Sequence, residues 1–417
     1  MTNGVKHIAV IGSGAAGLTA AHILQRQHRV TLFEKRERLG GHTNTVLIPD
    51  GPDAGTPVDT GFIVMNHRNY PLLTRLLDQL GVELRDSDMT FGYYDLPSGL
   101  QYCGTGLDGL FAQRKNILSP AFHRMLRDMI RFFKTAEADW NNEALADETF
   151  VDYLRRNDFG LEFITHHIIP MGSAIWSTPC DDMLEFPAQS FLQFFHNHGL
   201  LTIHDRPQWR TVVGGSSTYI EKMKTQWTQV DIRTGADIAG LRRGRRVEIF
   251  CGGAEPEEFD EVVIAAHADQ ALQLLQDPSA EEQSLLGCWN YAKSRTLLHS
   301  DEAVMPPLRN VWSSWNFKRL EGAQTCLTYH MNRLQGLETE RPYFVSLNLP
   351  EDPRHIIREF SYEHPMYIRE ALKSREKLHA LNGTNHTWFA GSYMGNGFHE
   401  DAVRSAVNIA EALGMEL

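Results

Sequence analysis

Apolar, mostly β-branched residues run through 7–11 (HIAVI), and glycines follow at once. That pattern predicts a short strand buried on both faces. Helical spacing of apolar residues follows over 15–27, and 29–34 (RVTLFE) gives a second strand, so the chain opens with a strand–helix–strand unit. A strand-like stretch at 57–65 precedes an amphipathic helix at 69–81, closed by Gly81. From about 105 to 204 the period is helical and rich in Phe, Met and His, with turn signals at Ser119-Pro120 and Pro170. Strand patterns return at 228–232, 246–250 and 259–265, and a helix follows at 267–276. Alternation across 287–350 predicts an antiparallel sheet. A strand at 387–390 and a small-residue helix at 400–413 close the chain.

Composition narrows the class. The 417 residues suggest two to three domains at about 150 residues each, and 42% hydrophobic with 22% charged residues is a globular balance. A formal charge of −12 gives no bulk attraction to phosphate backbones, so no nucleic-acid partner is expected. The five cysteines are scattered and never spaced CxxC, which reads as reduced thiols in a cytoplasmic compartment. Among the nineteen histidines, His166-His167 and His196-Asn197-His198 are the tightest groupings, and no metal site is expected from them. Val5 to Leu24 imitates a signal peptide, but glycines interrupt it and no A-x-A site follows. No apolar run approaches the ~18 residues a membrane span needs, so the chain reads as soluble or peripheral.

Gly12-Ser13-Gly14-Ala15-Ala16-Gly17 follows the first strand and opens the first helix, and Glu34 ends the second strand 22 residues after Gly12. Gly12 suits the tight turn, Gly14 a close backbone approach to a pyrophosphate, and Gly17 helix–strand packing. The helix N-terminus holds the anion, and Glu34 accepts from a ribose hydroxyl. Together they specify a dinucleotide site. Lys35 and then a second glycine pair, Gly40-Gly41, with His42 and Thr43 behind it, are foreign to simple NAD dehydrogenases.

That run resembles the flavin-containing amine oxidase superfamily, whose pattern is roughly E-x-x-x-R-x-G-G-R, with His42 standing where Arg is usual. Asp59-Thr60-Gly61 looks like the superfamily's D-x-G beside the flavin. Thr211-Val212-Val213-Gly214-Gly215 looks like its return to the cofactor domain. Ala236-Asp237-Ile238 resembles its adenine contacts, and the 260–265 strand ending at Ala265 the one that follows. Phe389-Ala390-Gly391 with the 402–406 helix is similar to the C-terminal flavin motif, although Ser392 replaces the usual acid. Finer matches are Val58–Val64, Leu298–Asp301, Trp312–Asn316, Thr328–Gln335 and Gly397–Asp401. They are similar to a bacterial branch related to carotenoid and lipid desaturases.

The resemblance implies a Rossmann-like α/β FAD-binding domain with an inserted α+β substrate domain of mixed sheet plus helices. The FAD-binding domain is expected at 1–67, 205–270 and 385–417. The substrate domain is expected at 68–204 and 271–384, with a helical part at about 105–200. Flavin contacts are expected from residues 12–17, Glu34, Lys35, Gly40, Gly41, His42, Thr43, Gly61, Phe62, Ile63, Ile238, Ala265, Gly391, Ser392, His399, Glu400, Asp401 and Ala402. The implied activity is desaturation or dehydrogenation of a fatty acyl or other lipid chain. The alternatives are a flavin amine oxidase for small or polyamine substrates, with Lys293 as its candidate lysine, and a non-catalytic FAD-binding partner protein. NAD-linked reduction is disfavoured by the lack of a second GxGxxG.

His399 opens the final helix, where it could exchange a proton or simply cap. Trp315 and Tyr329 are candidates for substrate contact or packing, and Asp59 reads as structural. In 114–134, Arg124, Arg127, Arg131 and Lys134 line one helix face against Phe122, Met125, Met129 and Phe133 on the other. Such a helix suits either an ordinary solvated surface or an anionic membrane interface at the inner face of a membrane.

Overall fold

A computed structural model describes residues 4–145, 147–176, 179–201, 206–321 and 325–417. Five parallel strands form its first sheet, in the order Thr387–Phe389, Glu261–Ile264, His7–Ile11, Arg29–Phe33, Val230–Arg233. They come from three stretches far apart in the chain. Helix Ala15–Leu24 is buried along its whole length because it lies between this sheet and helix His399–Ala412. That explains its run of Ala and Gly, where no polar face is needed.

Several boundaries differ from the sequence reading. The stretch 259–265 splits: Glu257–Phe259 joins a three-stranded antiparallel sheet with Ile238–Arg243 and Val247–Cys251, while Glu261–Ile264 enters the parallel sheet. Asp260 is the corner, its N–H bonded to the His7 carbonyl at 2.8 Å. The expected strand at 57–65 is regular only over Pro57–Asp59; beyond it the chain presses against its neighbour, and a Cβ on Gly61 would lie 2.2 Å from the His42 carbonyl oxygen.

A seven-stranded sheet forms the other layer, in the order Ile356–Pro365, Tyr291–His299, Phe344–Leu347, Thr325–His330, Trp315–Arg319, Phe91–Asp95, Gln101–Cys103. All its pairings are antiparallel except Trp315–Arg319 with Phe91–Asp95. The 84–103 strands have no counterpart in the sequence reading, since their side chains are mixed polar and aromatic without clean alternation. Helix Pro120–Asp139 is the longest described, capped by Ser119, whose hydroxyl accepts from the Phe122 N–H. The expected domain boundary at 204/205 lies outside the described residues. No helix among the described residues is long and apolar enough to cross a membrane.

Candidate functional site

A cavity of about 1990 Å³ runs from the ends of the parallel strands to the face of helix Pro120–Asp139. That exceeds the roughly 300–1,000 Å³ of a pocket for one small ligand, so it has room for a long dinucleotide and a second molecule.

Its first end is a phosphate cradle. Gly12 has φ +99°, and a Cβ on it would come within 2.5 Å of the Ala265 carbonyl oxygen. On Gly17 a Cβ would stand 1.8 Å from the Gly12 oxygen, so these two glycines are fixed by packing. A Cβ on Gly14, at the N-terminus of helix Ala15–Leu24, would meet nothing within 4 Å. That open space, lined also by Gly41, is where an anion can meet unpaired helix N–H groups. The Glu34 carboxylate accepts from the Ser13 N–H at 3.0 Å, the Ser13 hydroxyl at 2.5 Å and the Arg36 N–H at 2.9 Å. Both Ser13 bonds fall on Oε2, so Oε1, which accepts from Arg36 alone, keeps a lone pair for a ribose hydroxyl. Lys35, Ala236, Ile238 and Ala265 complete this end.

Farther along stand Gly61, Phe62, Ile63, Gly391, Ser392, His399 and Ala402. Two polar atoms here, His42 Nε2 and the Tyr393 hydroxyl, are buried without a partner among the described residues. Such atoms are costly unless a ligand satisfies them. The cradle and these atoms fit FAD.

The expected contacts divide. Gly17, Gly40, Thr43, Glu400 and Asp401 do not line the cavity. The Glu400 carboxylate instead accepts from the Leu72 and Leu73 N–H groups at 3.1 and 2.9 Å, at the start of helix Pro71–Gln79, and pairs with Arg404. Asp401 accepts from the Phe398 N–H at 3.0 Å, capping its own helix. Both carboxylates therefore fix helix ends, away from the cavity lining.

His399 lies flat on Phe62, ring centroids 3.8 Å apart. Its Nε2 is 3.1 Å from the Thr43 hydroxyl and 3.2 Å from that of Tyr219, and these two hydroxyls are 2.6 Å apart. Burial lowers its pKa to about 3. The imidazole is thus neutral, and the nitrogen closest to a hydroxyl partner already has one. Trp315 and Tyr329 are paired across adjacent strands, edge to face at 5.0 Å, and both line the cavity. The Trp315 Nε1 is buried without a partner among the described residues.

Asp59 is fully buried. It accepts from the Ser216 N–H and hydroxyl, the Thr45 hydroxyl and the Gln335 amide at 2.6–3.0 Å. Burial outweighs those donors and raises its pKa to about 6. It ties the strand before Gly61 to the Gly214-Gly215 turn and to the Thr328–Gln335 segment. The two histidine groupings are similarly engaged: His166 and His167 bond the hydroxyls of Tyr93 and Tyr102, and His196 stacks on Trp140.

The sequence reading missed a second histidine group. His42 stacks on Tyr362 at 4.9 Å and lies 5.2 Å from His364, and His267 stacks on Tyr291 at 4.1 Å. Burial lowers the pKa of all three histidines, that of His364 to about 4. His267 could have been found, since it follows the Ala265 strand directly. His364 ends a strand, 356–365, too charged to show alternation. Phe398, within the matched Gly397–Asp401 segment, stacks on Phe194 at 4.9 Å, a contact that sequence spacing does not reveal.

The family described as flavin containing amine oxidoreductase matches residues 15–414. The chain belongs to that family. Its cofactor is FAD. An L-amino-acid oxidase of Bungarus fasciatus is 51% identical over 45 residues, which is 11% of this chain and 9% of that protein. Among solved structures, a CLA-producing fatty acid isomerase from P. acnes superposes with TM-score 0.68 at 16% identity, over 98% of both chains. A putrescine oxidase variant gives TM-score 0.71 at 15% identity, over 98% of this chain and 99% of that one. At such identities the likeness is one of fold.

Proposed function

We propose that the protein is an FAD-dependent oxidoreductase that desaturates or dehydrogenates a fatty acyl or other lipid chain. The observation behind this reading is the character of the cavity beyond the dinucleotide cradle. Leu110, Leu126, Met129, Phe133, Met171 and Ile175 wall it, a surface that takes a hydrocarbon chain without desolvating polar groups. The charged groups are engaged elsewhere. Asp88 pairs with Arg333 at 2.8 Å, and Glu363 with Lys293 at 3.4 Å. Among the described lining residues the lysine is Lys35, beside Glu34 in the cradle. Beyond the cradle, the carboxylates among the described lining residues, Asp88 and Glu363, are thus already paired, and Lys293, whose side chain is three-quarters exposed, is outside the cavity.

Bound FAD supplies the hydride acceptor. Desaturation also releases a proton from the neighbouring carbon, so the chain has to position the acyl carbon, exclude bulk water and pass that proton to a base or out to solvent. Phe62 and the neutral His399 form a rigid stacked pair suited to the first task, and the apolar walls serve the second.

Anaerobic titration tests the reading. Dispersed fatty acyl lipid should bleach the oxidised flavin band, and a panel of monoamines and polyamines should leave it intact. Bleaching by amines alone would reverse the assignment, and no bleaching by either would favour a flavoprotein without turnover on these classes.

A further inference from the structure

We propose that the surface around the cavity mouth, formed by 106–118 and the outer face of helix Pro120–Asp139, docks the protein on an anionic lipid bilayer. Nine large apolar side chains are exposed among the described residues, and five of them (Leu107, Ile117, Leu118, Ile130, Leu161) lie between 107 and 161. Leu118 is 86% exposed and Leu107 75%, values that leave most of each side chain in water. The segments that carry them are held together: Phe111 packs on Phe122 and His123, and the His123 ring bonds the Ile117 carbonyl at 2.7 Å.

Leu107 and Ile130 also line the cavity. A residue that is both exposed and lining marks a place where the cavity reaches the surface. The mouth therefore opens among exposed hydrocarbon, next to the apolar wall of Leu126, Met129 and Phe133.

Charge identifies the occupant. The patch carries Arg114, Lys115, Arg124, Arg127, Arg131 and Lys134 against Asp108, Asp128 and Glu162, while the acids of the helix's last turn, Glu137 and Asp139, bond His196 and Tyr153. Arg114 pairs with Asp108, Arg124 with Glu162 and Arg131 with the buried Asp128. The surplus is positive on a chain whose total is −12. A second copy of this chain would bring cations against cations. An anionic bilayer matches both features, accepting the leucines at its interface and the cations at its phosphates. The proposal deepens the acyl-chain reading, on which it rests for the identity of what passes through the mouth.

Co-sedimentation of the holoprotein with vesicles tests it. Wild type should bind vesicles containing about 30% phosphatidylglycerol and not pure phosphatidylcholine, and high salt should weaken binding. Ile117→Ser with Leu118→Ser, both exposed and outside the cavity lining, should lower vesicle affinity about tenfold or more. Lys115→Glu with Lys134→Glu should do the same. Both double variants should keep the wild-type flavin absorbance. Failure of wild type to bind anionic vesicles, or unchanged binding by both variants, overturns the proposal. So does size-exclusion behaviour in which wild type is a dimer and the Ser variant a monomer, which would assign the surface to a second copy. Vesicle binding without flavin bleaching by acyl lipid would leave the docking intact and remove the acyl-chain reading instead.

Discussion

The two ends of the cavity are built by different rules. At the dinucleotide end, backbone does most of the recognition: Gly12 and Gly17 sit where a Cβ would strike a carbonyl, and Gly14 faces open space. At the far end, recognition belongs to side chains such as Leu126, Met129, Phe133 and Met171, which exchange among apolar residues at modest cost. A backbone constraint permits one residue type, whereas a packing constraint permits several. The cofactor end is therefore narrowly specified and the substrate end broadly, so family membership fixes FAD but not the substrate.

The sharpest way to break this contrast is at the glycines themselves. Gly14→Val should give a folded protein without flavin, because its side chain enters free space that the pyrophosphate needs. The loss in flavin affinity should exceed about a hundredfold, read as flavin absorbance per protein with unchanged circular dichroism. Gly17→Val should fail to fold, its Cβ being forced onto the Gly12 carbonyl. A yellow Gly14→Val protein would refute the cradle.

The clamp at Asp59 comes next. Asp59→Ala strands four buried donors, at a cost on the order of 3 kcal/mol or more. The pH dependence has a definite sign. Folding raises this carboxyl's pKa to about 6, so the folded state disfavours the ionised form. Wild type should lose roughly 3 kcal/mol as pH rises from about 4 to about 6, and then level off. The variant lacks that loss, so its deficit in denaturant melts should be larger at pH 4 than at pH 7.

These positions also show what the sequence made legible. The strand, glycine turn and helix of the first unit are local features whose spacing is readable, and their order stands as read, with Glu34 directly after the second strand. So do the segments that carried the family resemblance, which turn out to be hydrogen-bond clamps: Gln335 reaches Asp59, and Asp301 accepts from Arg354 and Ala303. Strands 84–86 and 91–95 were not legible, because their pairing with 210–212 and 315–319 is long-range, and no alternation marks them or the 101–103 strand that pairs with 91–95. The helix-end bonds of Glu400 and Asp401 were not legible either. The partners of Glu400, the Leu72 and Leu73 N–H groups, are more than 300 residues away in sequence.

At the broad end the effects should be smaller and should alter preference rather than binding of FAD. Met129→Trp narrows the apolar wall. It should keep full flavin content while cutting kcat/KM for the longest accepted acyl chain about tenfold relative to a short one. Equal loss for all chain lengths would place the chain elsewhere. His399→Ala lies between the two ends. It removes the stack under Phe62 and the contact to Thr43 and Tyr219, and flavin reduction should slow about tenfold with flavin retained. Since burial holds its pKa near 3, the wild-type rate should show no inflection from His399 between about pH 5 and 8. An inflection there that the variant abolishes would show that the imidazole titrates in turnover.

The smallest expected effect separates the acyl-chain and amine readings. Amine oxidation in this superfamily favours a lysine hydrogen-bonded through water toward the flavin, and Lys293 was the sequence candidate for it. Its strand, Tyr291–His299, does border the cavity through Tyr291. Side chains alternate along a strand, but Lys293, two residues from Tyr291, still leads out to solvent, where it pairs with Glu363 at 3.4 Å. An exposed ion pair of that kind contributes about 0–1 kcal/mol. Lys293→Met should therefore leave flavin content unchanged and alter the rate of flavin reduction by less than about twofold. A drop of tenfold or more would mean that the lysine reaches the flavin during turnover, and the amine reading would then regain its chemistry.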